Sequence, residues 1–298
     1  MAASGAFTGQ VVTVVGAGAG LGRQYCLDLA AEGAQVVVAG PSASVDAVTD
    51  EIKKAGGDAT VCRADARDGK AVIDATLKAY GRIDSLIVNA GILRDRSFSK
   101  MTEAEWSAVF DVHLNGTYSC MRAVWPVMMD QRKGRIVLTS TSGSLYGNFG
   151  QANYIAAKGA VNGLALTLAL EGKSRGIVVN VIAPVALTRL TEDIFTDEVK
   201  AALPVEGVSP FVLALAHPSC AETGAIIEAG GGWAAKYRLE RSGGRRFEGR
   251  DLNVTNVLAH WDDIVRFDER ADHPTGPIDT MTACVGPGLA KRLLTHGS

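Results

Sequence analysis

Long apolar runs are missing from this 298-residue chain. No window reaches the roughly 18 consecutive apolar residues of a membrane span, so none is expected. An excess of one charge is missing too. Thirty Lys and Arg face 32 Asp and Glu, and the formal net charge of -2 gives no electrostatic case for nucleic acid. Cysteine is sparse and odd in number: Cys26, Cys62, Cys120, Cys220 and Cys284 stand far apart. Neither a metal knuckle nor a disulfide framework fits that spacing, so reduced thiols and no metal site are expected. MAASGAFTGQ at the start lacks the charged and apolar regions of a secretion signal, and LLTHGS at the end is not a Ser-Lys-Leu address. The expected compartment is the cytoplasm.

What is present is an alternation of short β-rich runs and helical stretches. VVTVV (11–15), AQVVVA (34–39), ATVCRAD (59–65), SLIVNAG (85–91), RIVLTS (135–140), IVVNVIAP (177–184) and GAIIEAGGG (224–232) read as seven strands. Runs that are apolar on both faces and separated by helices predict a parallel sheet covered on both sides. The fold class is therefore α/β, a doubly wound Rossmann sheet over residues 1–232. The tail, 233–298, reads as an extension packed on the core or on a neighbouring subunit. Within it, LNVTNVLAHWDDIVRF (252–267) has helical spacing of apolar residues.

The first strand runs into VGAGAGLG (15–22). A chain that turns sharply from strand to helix while its backbone meets a pyrophosphate needs glycine there. The helix N-terminus then presents free N–H groups to the phosphates. Gly16, Gly20 and Gly22, with Leu21, are the candidates. At the end of the second strand an acid favours NAD and a base favours NADP. VVVAGPSAS has neither, and Gly40 stands in the acid's place. Asp65, at the end of the third strand, is either an adenine contact or a helix N-cap.

Tyr154 and Lys158 are four residues apart in YGNFGQANYIAAK (146–158). On a helix that spacing puts them on one face. A tyrosine of pKa about 10 is a poor base at neutral pH. A neighbouring ammonium stabilises the phenolate and lowers that value, which makes the pair a proton shuttle for an alcohol or ketone. The hydroxyls of STS (140–142) are placed to hold the carbonyl oxygen.

In order along the chain, VGAGAGLG, NAG (89–91), Y-x-x-x-K and IAPVALT (182–188) resemble the landmarks of the short-chain dehydrogenase/reductase family. GILRDRSFSKMTEAEW (91–106), DVHLNGTY (111–118), YGNFGQANYIAAK and GGGWAAKYRLER (230–241) resemble one branch of it. That branch is the (3R)-hydroxyacyl-CoA dehydrogenase unit of peroxisomal multifunctional enzyme type 2. The resemblance runs from about Gly9 to about Phe267 and implies lipid metabolism by β-oxidation.

The resemblance also implies roles. Tyr154 is the acid/base, and Lys158 tunes it and holds the nicotinamide ribose. Gly16, Gly20, Leu21 and Gly22 cradle the pyrophosphate. Asp65 and Ala66 flank the adenine, Asn89 and Gly91 the adjacent ribose. Pro184, Val185 and Thr188 line the carboxamide. The cofactor implied is NAD, with NADP left open by Gly40. The family's serine, thirteen residues before the tyrosine, is here Thr141, with Ser142 as fallback. His113 stands where the family has an asparagine. Arg94 and Arg96 are candidates for coenzyme A phosphates. The expected partner is a small-molecule substrate, an acyl-CoA or a steroid. The expected assembly is a homodimer or homotetramer through helices at about 104–131 and 154–173, with 233–267 as a substrate lid. The competing reading is another secondary-alcohol dehydrogenase, or a dinucleotide-binding scaffold without catalysis.

Overall fold

A computed structural model describes residues 5–187 and 196–286. The chain divides into two compact units, residues 1–236 and 237–298. In the first, β1 (Val11–Val15), β2 (Gln35–Ala39), β3 (Asp58–Cys62), β4 (Ser85–Val88), β5 (Gly134–Thr139), β6 (Ile177–Pro184), β7 (Ile226–Gly230) and β8 (Trp233–Lys236) form one sheet. Its order is 3-2-1-4-5-6-7-8. All neighbours are parallel except β7 and β8, which pair antiparallel.

The sheet thus has one strand more than the seven expected. WAAK is only four residues long, has none of the β-branched residues of the central strands and is nowhere fully buried. It returns across Gly231 and Gly232, both at positive φ, to cover the edge of β7. The third and fourth strands are shorter than their apolar runs suggested. Their ends, Arg63 to Asp65 and Asn89 to Gly91, leave the ladder for the rim where ligands bind.

The helices are α1 (Gly20–Ala31), α2 (Ser44–Lys54), α3 (Gly69–Tyr80), α4 (Glu103–Phe110), α5 (Gly116–Gln131), α6 (Gly143–Tyr146), α7 (Ala152–Gly172), α8 (Asp197–Ala202) and α9 (Ser209–Ala216). They cover both faces of the sheet. One core gathers Val12, Val14, Val36, Val38, Tyr25 and Leu29; the other gathers Val15, Val37, Leu86, Ile136, Met128 and Val161. All five residues of β1 are buried, because it lies mid-sheet between β2 and β4. Each such valine contributes about 1.5–3 kcal/mol of hydrophobic stabilisation as an upper bound.

Residues 104–131, expected as one helix, form α4, a π-helical turn (Asp111–Asn115) and α5. The wide turn carries His113 into the interior. Such turns recur at functional sites. α4 opens with a reciprocal capping box between Thr102 and Glu105, which fixes where the preceding loop ends.

In the second unit, residues 252–267 do not make one helix. They make α10 (Val254–Ala259) and α11 (Trp261–Val265), broken at His260; α12 (Pro277–Val285) follows. Polar ties dominate: Arg241 pairs with Asp272, Arg245 with Asp263, and Arg246 donates to the carbonyls of Ala283 and Cys284. Leu252, Val254, Leu258, Trp261 and Phe267 are exposed.

Candidate active site

Strand order reverses between β1 and β4, and in open α/β sheets that crevice takes the ligand. β1 ends in the glycine loop. Gly16 sits at φ +82°, and a Cβ there would lie 2.5 Å from the backbone nitrogen of Ala90. A Cβ on Gly22 would lie 2.1 Å from the carbonyl oxygen of Gly16. Only glycine permits this packing of α1 against two strand ends. The first residue before α1, Ala19, offers no side-chain cap. The opening N–H groups of that helix therefore face the crevice with no side chain on them, and a pyrophosphate fits that donor set. Leu21 is buried behind it.

Asn89 locks the loop to the neighbouring strands. Its amide donates to the carbonyl of Gly16 (3.4 Å), and its oxygen accepts from the Thr139 hydroxyl (3.4 Å). Gly91 presses on His113: a Cβ there would lie 2.6 Å from the imidazole Cε1. Ala66 is buried against Gly116. Asp65 is not the cap of α3; Asp68 is, accepting from the N–H of Ala71. Asp65 instead grips Arg67 through both carboxylate oxygens, at 2.8 and 2.9 Å, and the arginine lowers its pKa. Pro184 ends β6 and Val185 follows it, its N–H donating to the carbonyl of Ala229. Thr188 lies outside the described residues.

Tyr154 stands in the first turn of α7 and Lys158 one turn later. The lysine is 3% exposed. Its Nζ donates to the carbonyl of Thr139 at 2.6 Å and lies 5.9 Å from the centre of the tyrosine ring. Burial pushes the ammonium pKa down to about 7. Burial, with the charge of Asp95 behind it, pushes the phenol up to about 12. The lowering of the tyrosine expected from the sequence is thus not what the chain alone produces. Desolvation outweighs the cation at this distance.

The three hydroxyls after β5 differ in use. Ser140 is buried, and its Oγ meets Ser144 Oγ (3.3 Å) and donates to the carbonyl of Lys158 (3.4 Å). Among the described residues Thr141 Oγ1 accepts only from the N–H of Gly143, at 3.3 Å. Ser142 precedes α6 without a side-chain cap bond. Ser144 in turn accepts from Asn162, a buried residue that the sequence did not single out.

His113 is 2% exposed and stacks edge-on against Tyr154, centroids 5.1 Å apart. Burial, then the charge of Lys158, lowers its pKa to about 3, so it is neutral. Its Nε2 meets the backbone of Ile92, while Nδ1 is buried without a partner among the described residues. Of the two arginines beyond β4, Arg96 is paired with Glu105 at 2.7 Å. The Arg94 guanidinium donates to the carbonyl of Leu93 and makes no ion pair among the described residues. Among those residues no cluster of three or more His, Cys, Asp or Glu is placed to hold a metal, and no helix is long and apolar enough to cross a membrane.

The family model described as short chain dehydrogenase matches residues 10–199. The chain belongs to the short-chain dehydrogenase family. This family comprises NAD(P)-dependent oxidoreductases acting on CH–OH groups. A peroxisomal hydratase-dehydrogenase-epimerase of Neurospora crassa is 45% identical over 92% of this chain and 31% of its own length. Full-length peroxisomal multifunctional enzyme type 2 of Drosophila melanogaster superposes with a TM-score of 0.83 at 38% identity. That match covers 96% of this chain and 50% of the other. A 7α-hydroxysteroid dehydrogenase, solved with NADH and 7-oxo glycochenodeoxycholic acid, gives 0.70 at 26% identity, covering 76% of this short-chain dehydrogenase and 94% of that chain. The chain spans between 31% and 64% of the length of the first three curated relatives.

Proposed function

We propose that this short-chain dehydrogenase interconverts (3R)-3-hydroxyacyl-CoA and 3-ketoacyl-CoA with NAD or NADP. The pairing on α7 of Tyr154 with a buried Lys158, whose ammonium is held at the end of β5, carries the reading. Similarity to peroxisomal multifunctional enzymes supports the acyl-CoA class.

In oxidation the Tyr154 oxygen takes the proton of the substrate hydroxyl; in reduction it returns one. Lys158 supplies the positive charge that favours the phenolate. Thr141, whose hydroxyl meets one backbone donor among the described residues, holds the substrate oxygen. The bound nicotinamide cofactor supplies the two-electron chemistry that no side chain here provides. Gly16, Gly20, Leu21 and Gly22 receive its pyrophosphate, Asp65 and Ala66 its adenine, Asn89 and Gly91 its ribose, and Pro184, Val185 and Thr188 its carboxamide. Arg94, without an acidic partner among the described residues, meets the phosphates of coenzyme A. NAD is the expected cofactor, and Gly40 provides no acid to exclude NADP.

A homodimer or homotetramer is part of the proposal. α7 is apolar nearly all round, which marks a helix covered on every side. Yet Leu166 and Leu170 are exposed, and the space beside Gly159 and Gly163 is open. Tyr118 of α5 is exposed as well. The relatives' names place them in the peroxisome, beside the cytoplasm expected from the sequence; fractionation of the producing cell distinguishes the two.

Nicotinamide absorbance on mixing the protein with 3-hydroxyacyl-CoA and NAD or NADP tests the reading. Turnover that vanishes in Tyr154→Phe supports it. Turnover of a hydroxysteroid alone moves the substrate to that class. Tight cofactor binding without any turnover makes the chain a scaffold.

A further inference from the structure

Asn153 directly precedes Tyr154, and its side chain is completely buried. Its amide nitrogen donates twice, to the carbonyl of Arg94 at 3.1 Å and to that of Glu105 at 3.2 Å. Its oxygen accepts from the backbone N–H of Tyr154 at 2.7 Å. One side chain thus joins three backbone points: the loop after β4, the first turn of α4 and the first turn of α7.

No other side chain of this size makes all three bonds. Aspartate has no protons for the two carbonyls, leucine has no polar atoms, and serine is too short to span them. Two further ties run between the same segments. The N–H of Arg96 donates to the carbonyl of Gly150 at 2.7 Å, and Gln151 donates to Asp95 at 2.6 Å. The loop is held from its other side as well. Arg96 pairs with Glu105, and Glu105 closes the capping box of α4. Residues 94–105 therefore form a frame, and Asn153 is the buried bolt that fixes Tyr154 to it.

We propose that Asn153 is a positioning residue, which holds the Tyr154 phenol in register with the loop carrying Arg94. The inference rests on Tyr154 being the acid/base. Two consequences follow from the geometry. Loosening the bolt displaces the phenol relative to the substrate oxygen, and a displacement of about 1 Å costs on the order of 100-fold in rate. It leaves the glycine loop untouched, because Asn153 contacts neither β1 nor α1 through any of its three bonds.

The test compares Asn153→Ala and Asn153→Ser with the native protein in the full chain. Four quantities are read: kcat, KM for the acyl-CoA, the pH profile of kcat, and the Kd of NADH from its fluorescence. The expected result is a kcat lowered about 100-fold, a displaced pH profile, and a Kd within about threefold of native. A kcat within threefold of native overturns the proposal, as does a loss of kcat matched by an equal loss of NADH affinity. If the alanine variant fails to fold, the serine variant decides, since a water molecule can replace part of its bonding. Tyr154→Phe is measured beside them. Full activity in that variant removes the underlying reading; its inactivity with a native-like Asn153→Ala removes the positioning role alone.

Discussion

The Nζ of Lys158 is held 2.6 Å from the carbonyl oxygen of Thr139, on the strand beside its own helix. That bond fixes the ammonium below the Tyr154 ring while burial lowers its pKa to about 7 and raises the phenol to about 12. Together the two groups give up a first proton at about 7 and a second at about 12. Between those two values the pair holds one proton, whichever atom carries it. Oxidation needs phenolate with ammonium, so kcat/KM rises tenfold per pH unit up to about 7 and is then flat. Reduction needs phenol with ammonium, so it is flat below about 7 and falls above. Initial rates in both directions from pH 5.5 to 9.5 check this. In Lys158→Met the oxidation profile should keep rising through neutral pH.

Thr141 and Ser140 make different predictions. The Ser140 hydroxyl is taken up by Ser144 and by the Lys158 carbonyl, whereas among the described residues the Thr141 hydroxyl meets only the Gly143 N–H. Thr141→Val should lower kcat about 100- to 1,000-fold, the scale of losing one donor to a developing oxyanion. Ser140→Ala should lower it less than about tenfold. The reverse ranking would move the oxyanion role to Ser140.

Gly40 should control cofactor choice. A Cβ there would meet only the tip of the Val45 side chain, at 3.0 Å, with the Ala17 nitrogen at 4.0 Å. Gly40→Asp is therefore accommodated by a small shift of Val45. A carboxylate at this position accepts from the ribose hydroxyls and repels a 2′-phosphate. The ratio of NAD to NADP affinity should rise about tenfold to 100-fold, from a Coulomb term of one to a few kcal/mol. Fluorescence titration with NADH and NADPH measures it.

His113 should make the fold acid-sensitive. Its folded pKa, about 3, lies below the ordinary 6.5. The unfolded chain therefore binds a proton below 6.5 that the native state refuses until about 3. Stability falls as pH drops through that window, by several kcal/mol at full extent. Lys158 acts in the same direction but between 10.5 and about 7, so the two windows are separate. Chemical denaturation from pH 7 to 4 should show the loss, and His113→Gln should show a flatter slope.

Much of the fold is written in local pattern. β1, Val11–Val15, and β6, Ile177–Pro184, coincide with their apolar runs, because a strand buried on both faces is apolar nearly throughout; the polar residues within them, Thr13 and Asn180, are buried and hydrogen-bonded to Thr76 and to the Glu222 carbonyl. β8 was invisible: Trp233–Lys236 is held by pairing with β7, a tertiary contact without local signature. Residues 252–267 misled in the opposite way. Their helical spacing is real, but Val254, Leu258 and Trp261 are exposed and the helix breaks at His260.

For the site, spacing alone placed Tyr154 and Lys158 on one face and the glycines at the strand-to-helix turn, since those are properties of three to eight consecutive residues. The sequence could not reveal that Asp65 is bound to Arg67, that Asn153 joins two distant carbonyls, or that Ser140 rather than Thr141 is turned into the interior. Nor could it give the sign of the tyrosine's pKa shift. Charge proximity is readable from the i, i+4 spacing, but desolvation depends on what the rest of the chain packs around the pair. In this protein that packing dominates, with Lys158 sealed beneath β5 and the phenol pressed against His113.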